Sequence, residues 1–194
     1  NPSVFLDTIP DIDNNGEGFN LQTSYSPVSQ PKFIINISNK EVSVYNEHSK
    51  KHIPITSIAL EDADLVDVLL RFEKDAAGKE KPFIVYFPST AKTVVAARDF
   101  GANRLPKTNN QELMDLAKDI KSEVHGDYYL ADLISKGIAY HIGYLPSSIR
   151  QRIEELFKKG LITALFCTST LVEGVNLPAD NLFITDFKNG MKDM

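Results

Sequence analysis

With 194 residues, 42% of them hydrophobic, the chain is long enough to bury a complete single-domain core. Its one cysteine, Cys167, excludes an internal disulfide framework and any Cys-x-x-Cys zinc site. A net charge of −5 argues against coating nucleic acid by bulk electrostatics, while leaving directed phosphate contacts open.

Residues 1–31 are read as an N-terminal extension or linker, because Asp11 to Gly18 is dense in Asp, Asn and Gly and no periodicity is sustained. The main domain is placed at 32–194. It opens with a β-hairpin, Phe33 to Ile37 and Val42 to Tyr45 around a turn at Ser38-Asn39-Lys40, expected at the edge of the main sheet. Glu61 or Asp62 is expected to start a helix carrying Leu65, Val68, Leu69 and Phe72, with Gly78 closing the region. The apolar run Phe83 to Phe87 reads as a strand, and Ser89 or Thr90 as the cap of a helix bearing Val94, Val95 and Phe100 up to a stop at Gly101. Two helical patterns follow, Gln111 to Ser122 and Asp127 to Ser135, with Gly137 at a C-terminal cap. After a short strand through His141, Ser148 and Gln151 fit a capping box for a helix that buries Ile149, Ile153, Leu156 and Phe157 and ends at Gly160. Leu161 to Phe166 reads as a strand covered on both faces, and Asn181 to Thr185 as the last strand. Strand-helix-strand units of this kind predict an α/β fold with a mainly parallel sheet.

Ligands of such sheets collect beyond the carboxyl ends of the strands. Two places there carry suitable chemistry. Thr168, Ser169 and Thr170 bring three hydroxyls to the end of one strand, followed by Gly174, which permits close backbone approach, and the Asn176 amide. Ser89 and Thr90 stand at a helix N-terminus, where spare amides favour an anion. A polar turn without a ligand explains the first group equally well, and plain helix capping is the commoner explanation of Ser89 and Thr90 taken singly. Lys92, Arg98, Arg150 and Arg152 lie in or after these segments, where solvation is their commoner role. His48 and His52 read as a solvated loop rather than a metal pair, because no Glu lies between them and no third ligand is near; no metal is expected. His125 also reads as loop, and His141 as a structural hydrogen-bonding residue at a strand end.

Three of these segments resemble, in order and spacing, late motifs of superfamily 2 helicases of the superkiller-type DExH branch. Phe83 to Thr90 resembles motif IV, His141-Ile142-Gly143-Tyr144-Leu145 with Arg150 resembles the segment called IVa, and Thr168 to Ala179 resembles motif V. At the N-terminus, Asn1 to Leu6 resembles the segment after motif III, and Ser26-Pro27-Val28 the entry to the second lobe. The resemblance implies a three-layer RecA-like (P-loop NTPase-like) second lobe of an ATP-driven motor, cut from a longer protein before motif VI. It implies backbone phosphate contacts by Ser89, Thr90 and Thr168, with Arg150 as a further contact, to single-stranded DNA or RNA. Gly174 and Asn176 would couple the loop to nucleotide, and Glu173 would orient that loop, bridge the lobes or simply face solvent. The parent would use ATP and Mg2+ and pair this lobe with the first RecA-like lobe of the same chain.

The residues present bound this expectation. No Gly-x-x-x-x-Gly-Lys-[Ser/Thr] loop and no Asp-Glu pair exist to hold nucleotide phosphates and magnesium, so the 194 residues alone are expected to be inactive and to bind neither cofactor. A non-catalytic interaction module built on the same lobe is the competing expectation, since fold does not imply function. A nucleotide-using metabolic enzyme ranks last, for want of a Gly-x-Gly-x-x-Gly signature. No apolar stretch reaches membrane-spanning length and no signal peptide opens the chain, so a cytoplasmic location without membrane partners is expected.

Overall fold

The structure is a computed structural model that describes residues 31–46, 49–55, 64–102, 104–107, 109–124, 128–172, 176–186, 188–189 and 192–193. The chain divides into two compact units, Asn1–Leu60 and Glu61–Met194. The extension expected before residue 31, and His48, His125, Asp127, Glu173 and Gly174, lie outside the described residues, while the helix expected to start at Glu61 or Asp62 is capped by Asp64 instead.

In the first unit, β1 (Lys32–Asn36), β2 (Glu41–Asn46) and β3 (Lys51–Pro54) form an antiparallel sheet in the order β1-β2-β3. The two connections use one device. Asn36 and Asn46 end their strands, and their side-chain oxygens accept from the amides of Asn39 at 3.1 Å and Ser49 at 3.0 Å. Lys40 and Lys50 then take left-handed φ values of 58° and 52° to bring the chain back. The expected hairpin is therefore present, with two corrections. It gains a third strand that contains His52, which stacks on Tyr45 with ring centroids 5.2 Å apart instead of lying in a loop. It also forms a sheet of its own rather than an edge of the main one. Short turns pair consecutive strands locally, which needs no partner from elsewhere in the chain.

The second unit holds α1 (Leu65–Phe72), β4 (Phe83–Tyr86), α2 (Thr90–Gly101), α3 (Gln111–Glu123), α4 (Tyr129–Ser135), β5 (Ile138–His141), α5 (Ser147–Lys158), β6 (Ala164–Cys167), α6 (Ser169–Val172) and β7 (Asn181–Ile184). Two short strands, β8 (Lys188–Asn189) and β9 (Lys192–Asp193), pair antiparallel after it. The four long-range strands form a parallel sheet in the order β5-β6-β4-β7, flanked by helices, an α/β architecture consistent with a RecA-like lobe. Every residue of β5 and β6 is buried, as a strand covered on both faces requires.

Alternation along the strands gives the faces different cores. Phe83, Phe166 and Phe183 point to one face, where Phe100 of α2 and Phe72 of α1 join them in tilted and edge-to-face contacts with centroids 5.5–6.4 Å apart. His141 turns to the other face, towards Glu154 of α5, which buries its own Ile149, Ile153, Leu156 and Phe157. Ion pairs Arg152–Asp119 and Lys159–Glu112 tie α5 to α3.

Helix ends follow side-chain chemistry with some departures from expectation. Asp64 and Asp67 form a reciprocal capping box on α1, with bonds of 2.9 and 3.1 Å, and Asn110 caps α3 by accepting from the Leu113 amide at 3.1 Å. Gly137 closes α4 with φ 75°. The capping box expected at Ser148 and Gln151 is absent: Pro146 is the N-cap of α5, its carbonyl accepts from the Arg150 amide at 3.0 Å, and Ser148 donates to Glu123 Oε2 at 3.3 Å. Proline, with its φ of −52° already set, starts the helix earlier and carries Ser148 inside it. α2 ends at Gly101 as expected, and this glycine is buried where a Cβ would come 2.4 Å from Leu133 Cδ2. Close approach of α2 and α4, rather than chain reversal, calls for glycine there.

Candidate nucleic-acid interface

Parallel strands send all their following loops to one edge, and the strand order decides which loops are neighbours. Here β6 lies between β5 and β4, with His141 paired to Cys167 and Cys167 to Tyr86. The three strands therefore end level. Two backbone bonds continue the register outward: Phe87 N donates to Cys167 O at 2.9 Å, and Thr168 N to His141 O at 3.2 Å. As a result the loops that follow β5, β6 and β4 emerge side by side, with Thr168 on the central one.

Ser89 is the N-cap of α2 by position, yet its side chain makes no capping bond. Thr93 Oγ1 donates back to Ser89 O at 2.9 Å, which leaves the first-turn amides without a side-chain cap. The Ser89 hydroxyl is thus left uncommitted to the helix, and both Ser89 and Thr90 are half-buried at its start. Thr168 is buried, at 8% exposure, and its hydroxyl lies 3.2 Å from that of Thr170. Arg150, in the first turns of α5, is half-buried; its Nε has no hydrogen-bond partner among the described residues. Its charge reaches the His141 ring, where it opposes protonation. Asn176 is exposed, and it is the described member of the trio expected to couple loop and nucleotide. Of the other basic candidates, Arg98 lies over the Tyr129 ring at 3.9 Å, Arg152 pairs with Asp119, and Lys92 is exposed in the first turn of α2. Among the described residues no group of three His, Cys, Asp or Glu is gathered as metal ligands.

Two residues outside the expected set complete this edge. Glu154 Oε1 lies 3.0 Å from His141 Nε2, and Thr170 Oγ1 lies 3.5 Å from His141 Nδ1. Thr170 was visible as one of three adjacent hydroxyls. Glu154 carries a fainter signal: it follows the buried Ile153 and stands four residues after Arg150, which aligns the two on one side of α5.

Burial holds the His141 imidazole below its ordinary pKa, with Glu154 working against the shift and Arg150 adding to it. Burial also pushes the neighbouring Cys167 thiol up to about 12, so it stays neutral. A base with a depressed folded pKa binds fewer protons folded than unfolded. Its stabilisation is complete above about pH 6.5 and is lost as pH falls from there through the folded value. Urea unfolding of the chain is expected to show a fall in stability below about pH 6.5 that is reduced in His141→Gln. An equal fall in both proteins would show that other groups cause it.

No protein-family model matches the chain. Partial matches link it to helicases. It is 33% identical over 98 residues to the ATP-dependent DNA helicase Hel308 of Pyrobaculum calidifontis, covering 50% of this chain and 14% of that protein. It is 47% identical over 58 residues to Hel308 of Aeropyrum pernix, covering 30% of this chain and 8% of that protein. A Helicase POLQ-like protein of Drosophila melanogaster is 38% identical over 85 residues, covering 44% of this chain and 8% of that protein. The chain thus spans less than a sixth of the length of these relatives. These homologies support a superfamily 2 helicase-related region.

Proposed function

We propose that this helicase-related region is the second RecA-like lobe of an ATP-driven helicase or translocase of the superkiller-type branch, and that the level carboxyl edge of β5, β6 and β4 grips a single strand by its phosphates. The observation that carries this reading is the shared register of His141, Cys167 and Tyr86, which sets the three motif-like loops next to one another. On that edge Ser89, Thr90 and Thr168 contribute hydroxyls and Arg150 a cation. Their contacts are directed ones, which suits a net charge of −5 and a motor that must release each phosphate as it moves. Since the Hel308 relatives are named DNA helicases, single-stranded DNA is the first strand to test.

Glu173, Gly174 and Asn176 would lie towards a nucleotide cleft shared with the first lobe. ATP and Mg2+, bound in the complete protein, would supply the free energy of stepping; this chain's own part is a grip that differs between nucleotide states. Such a protein would work in the cytoplasm. Among the described residues, no helix is long and apolar enough to cross a membrane.

Arg150 offers the most direct test. In the full-length protein, Arg150→Gln is expected to weaken binding of single-stranded DNA across all base sequences and to lower the slope of log affinity against log salt by about one. Fluorescence anisotropy over a salt series measures both. Unchanged affinity and slope would remove Arg150 from the grip. The purified 194-residue chain is expected to release no phosphate from ATP, with or without single strands, because the cradle for the β- and γ-phosphates is absent from its sequence. Strand-stimulated release would overturn that part of the proposal.

A further inference from the structure

A line of four polar side chains runs inward from the proposed grip: Thr168 Oγ1 to Thr170 Oγ1 at 3.2 Å, Thr170 Oγ1 to His141 Nδ1 at 3.5 Å, and His141 Nε2 to Glu154 Oε1 at 3.0 Å. His141 is 1% exposed and Thr168 8%, while Thr170 is exposed. Hydrogen counting along the line ties its direction to the charge on the ring. An ionised Glu154 only accepts, so His141 Nε2 carries a hydrogen. In the neutral ring Nδ1 is then an acceptor, and Thr170 must spend its one hydroxyl proton on it. The oxygen-oxygen contact with Thr168 must then be donated by Thr168, whose hydroxyl is left with lone pairs alone to offer outward. An imidazolium keeps Nε2–H on Glu154 and allows the two outer contacts to reverse: Nδ1–H donates to Thr170, Thr170 is then able to donate to Thr168, and the Thr168 proton becomes available to an outside acceptor.

We propose that His141 is a positioning residue which, acting through Thr170, decides whether the Thr168 hydroxyl can donate to a backbone phosphate. This rests on the strand-gripping reading of the same edge and adds a proton to it: the strand and one proton bind together. Among the described residues, the charged and titratable groups facing the ring are Glu154 and Arg150 from α5 and Cys167 from the adjacent strand. Glu154 favours the imidazolium, and Arg150 opposes it. Cys167 stays a neutral thiol. Without a ligand, burial keeps the ring neutral and the Thr168 proton turned inward. A phosphate at Thr168 brings negative charge and an acceptor, both of which favour the reversed direction. The coupling is reciprocal, so a lower pH must strengthen the grip to the same extent that the strand raises the affinity of the ring for its proton.

The test uses the full-length protein, native and Thr170→Val, an isosteric change at an exposed position that removes the middle link. With selectively 15N-labelled histidine, the His141 ring is expected to be neutral and protonated at Nε2 at pH 8, and Thr170→Val is expected to shift its Nδ1 signal. By fluorescence anisotropy with a single-stranded oligodeoxynucleotide, native protein is expected to bind about tenfold tighter at pH 6 than at pH 8, the size of one charge-assisted hydrogen bond. In Thr170→Val the Thr168 proton is free at any pH. Binding at pH 8 should rise towards the native pH 6 value, and most of the pH dependence should vanish. A variant that weakens binding by the same factor at both pH values would overturn the proposal, since that is what a merely structural Thr170 would do. An unshifted Nδ1 signal would overturn it as well while leaving the strand reading intact. Failure of native protein to bind the strand at either pH, with the ring signals as expected, would overturn the strand reading and the phosphate role of Thr168 together.

Discussion

Thr168→Ala in the full-length protein is expected to lower single-strand-stimulated ATP hydrolysis about tenfold to a hundredfold while leaving basal hydrolysis within about twofold. The range corresponds to the roughly 1.5–3 kcal/mol of one hydrogen bond to a charged group. Thr168 sits at the end of the central strand of the proposed grip, and its amide is held by His141 O at 3.2 Å, a contact that alanine keeps. Only the hydroxyl is lost. The change therefore removes a proposed phosphate donor without unseating the loop, and hydrolysis measured without nucleic acid should hardly register it. The deficit should be larger at pH 6 than at pH 8, because the hydroxyl of the native protein donates outward more readily when His141 is charged. Steady-state hydrolysis without oligonucleotide and with oligonucleotide well below half-saturation of the native protein measures the split. Equal losses in basal and stimulated rates would mean that Thr168 serves the loop's structure, not the strand.

Phe83→Ala is expected to destabilise the second unit by about 3–5 kcal/mol, the cost of truncating a large aromatic side chain in a packed interior. Phe83 is 1% exposed, and its ring meets Phe100 at 5.5 Å, Phe183 at 5.9 Å and Phe166 at 6.4 Å, so the cavity would open at the meeting point of α2 and three strands. Tyr144→Ala provides the control: that ring is 89% exposed on the loop after β5, and its loss should change stability by no more than about 0.5 kcal/mol. Urea denaturation of the two variants makes the comparison. A loss below about 1 kcal/mol for Phe83→Ala would contradict the packing described above.

Much of this architecture could be read before the fold was known. The apolar runs at Phe83 to Phe87 and Leu161 to Phe166 supply β4 and β6, because only a position covered on both faces tolerates continuous hydrophobicity, although β6 begins only at Ala164. The helices bearing Val68 and Leu69, or Ile149, Ile153, Leu156 and Phe157, bury those residues as their spacing requires. Local signals failed where distant partners decide the outcome. Gly101 ends its helix as read, but its crowding by Leu133 of another helix is not written in its own segment. Ser148 looks like a cap, but the proline at 146 had already started the helix. The hairpin looked like an edge strand pair because nothing in its own residues tells which sheet will receive it.

For the candidate site the division follows the same physical line. The order and spacing of Ser89, His141, Thr168 and Asn176 along the chain carry the helicase resemblance, since spacing within a segment is a property of sequence alone. That the loops after β5, β6 and β4 stand abreast is a matter of strand order, which depends on pairing between residues as far apart as Tyr86 and Cys167. Glu154 and Thr170 gain meaning only when folding brings both to the two nitrogens of one buried imidazole. Sequence determined which donors and acceptors this protein owns. Tertiary structure decided which of them face one another, because a hydrogen bond's direction depends on partners that no local pattern of residues contains.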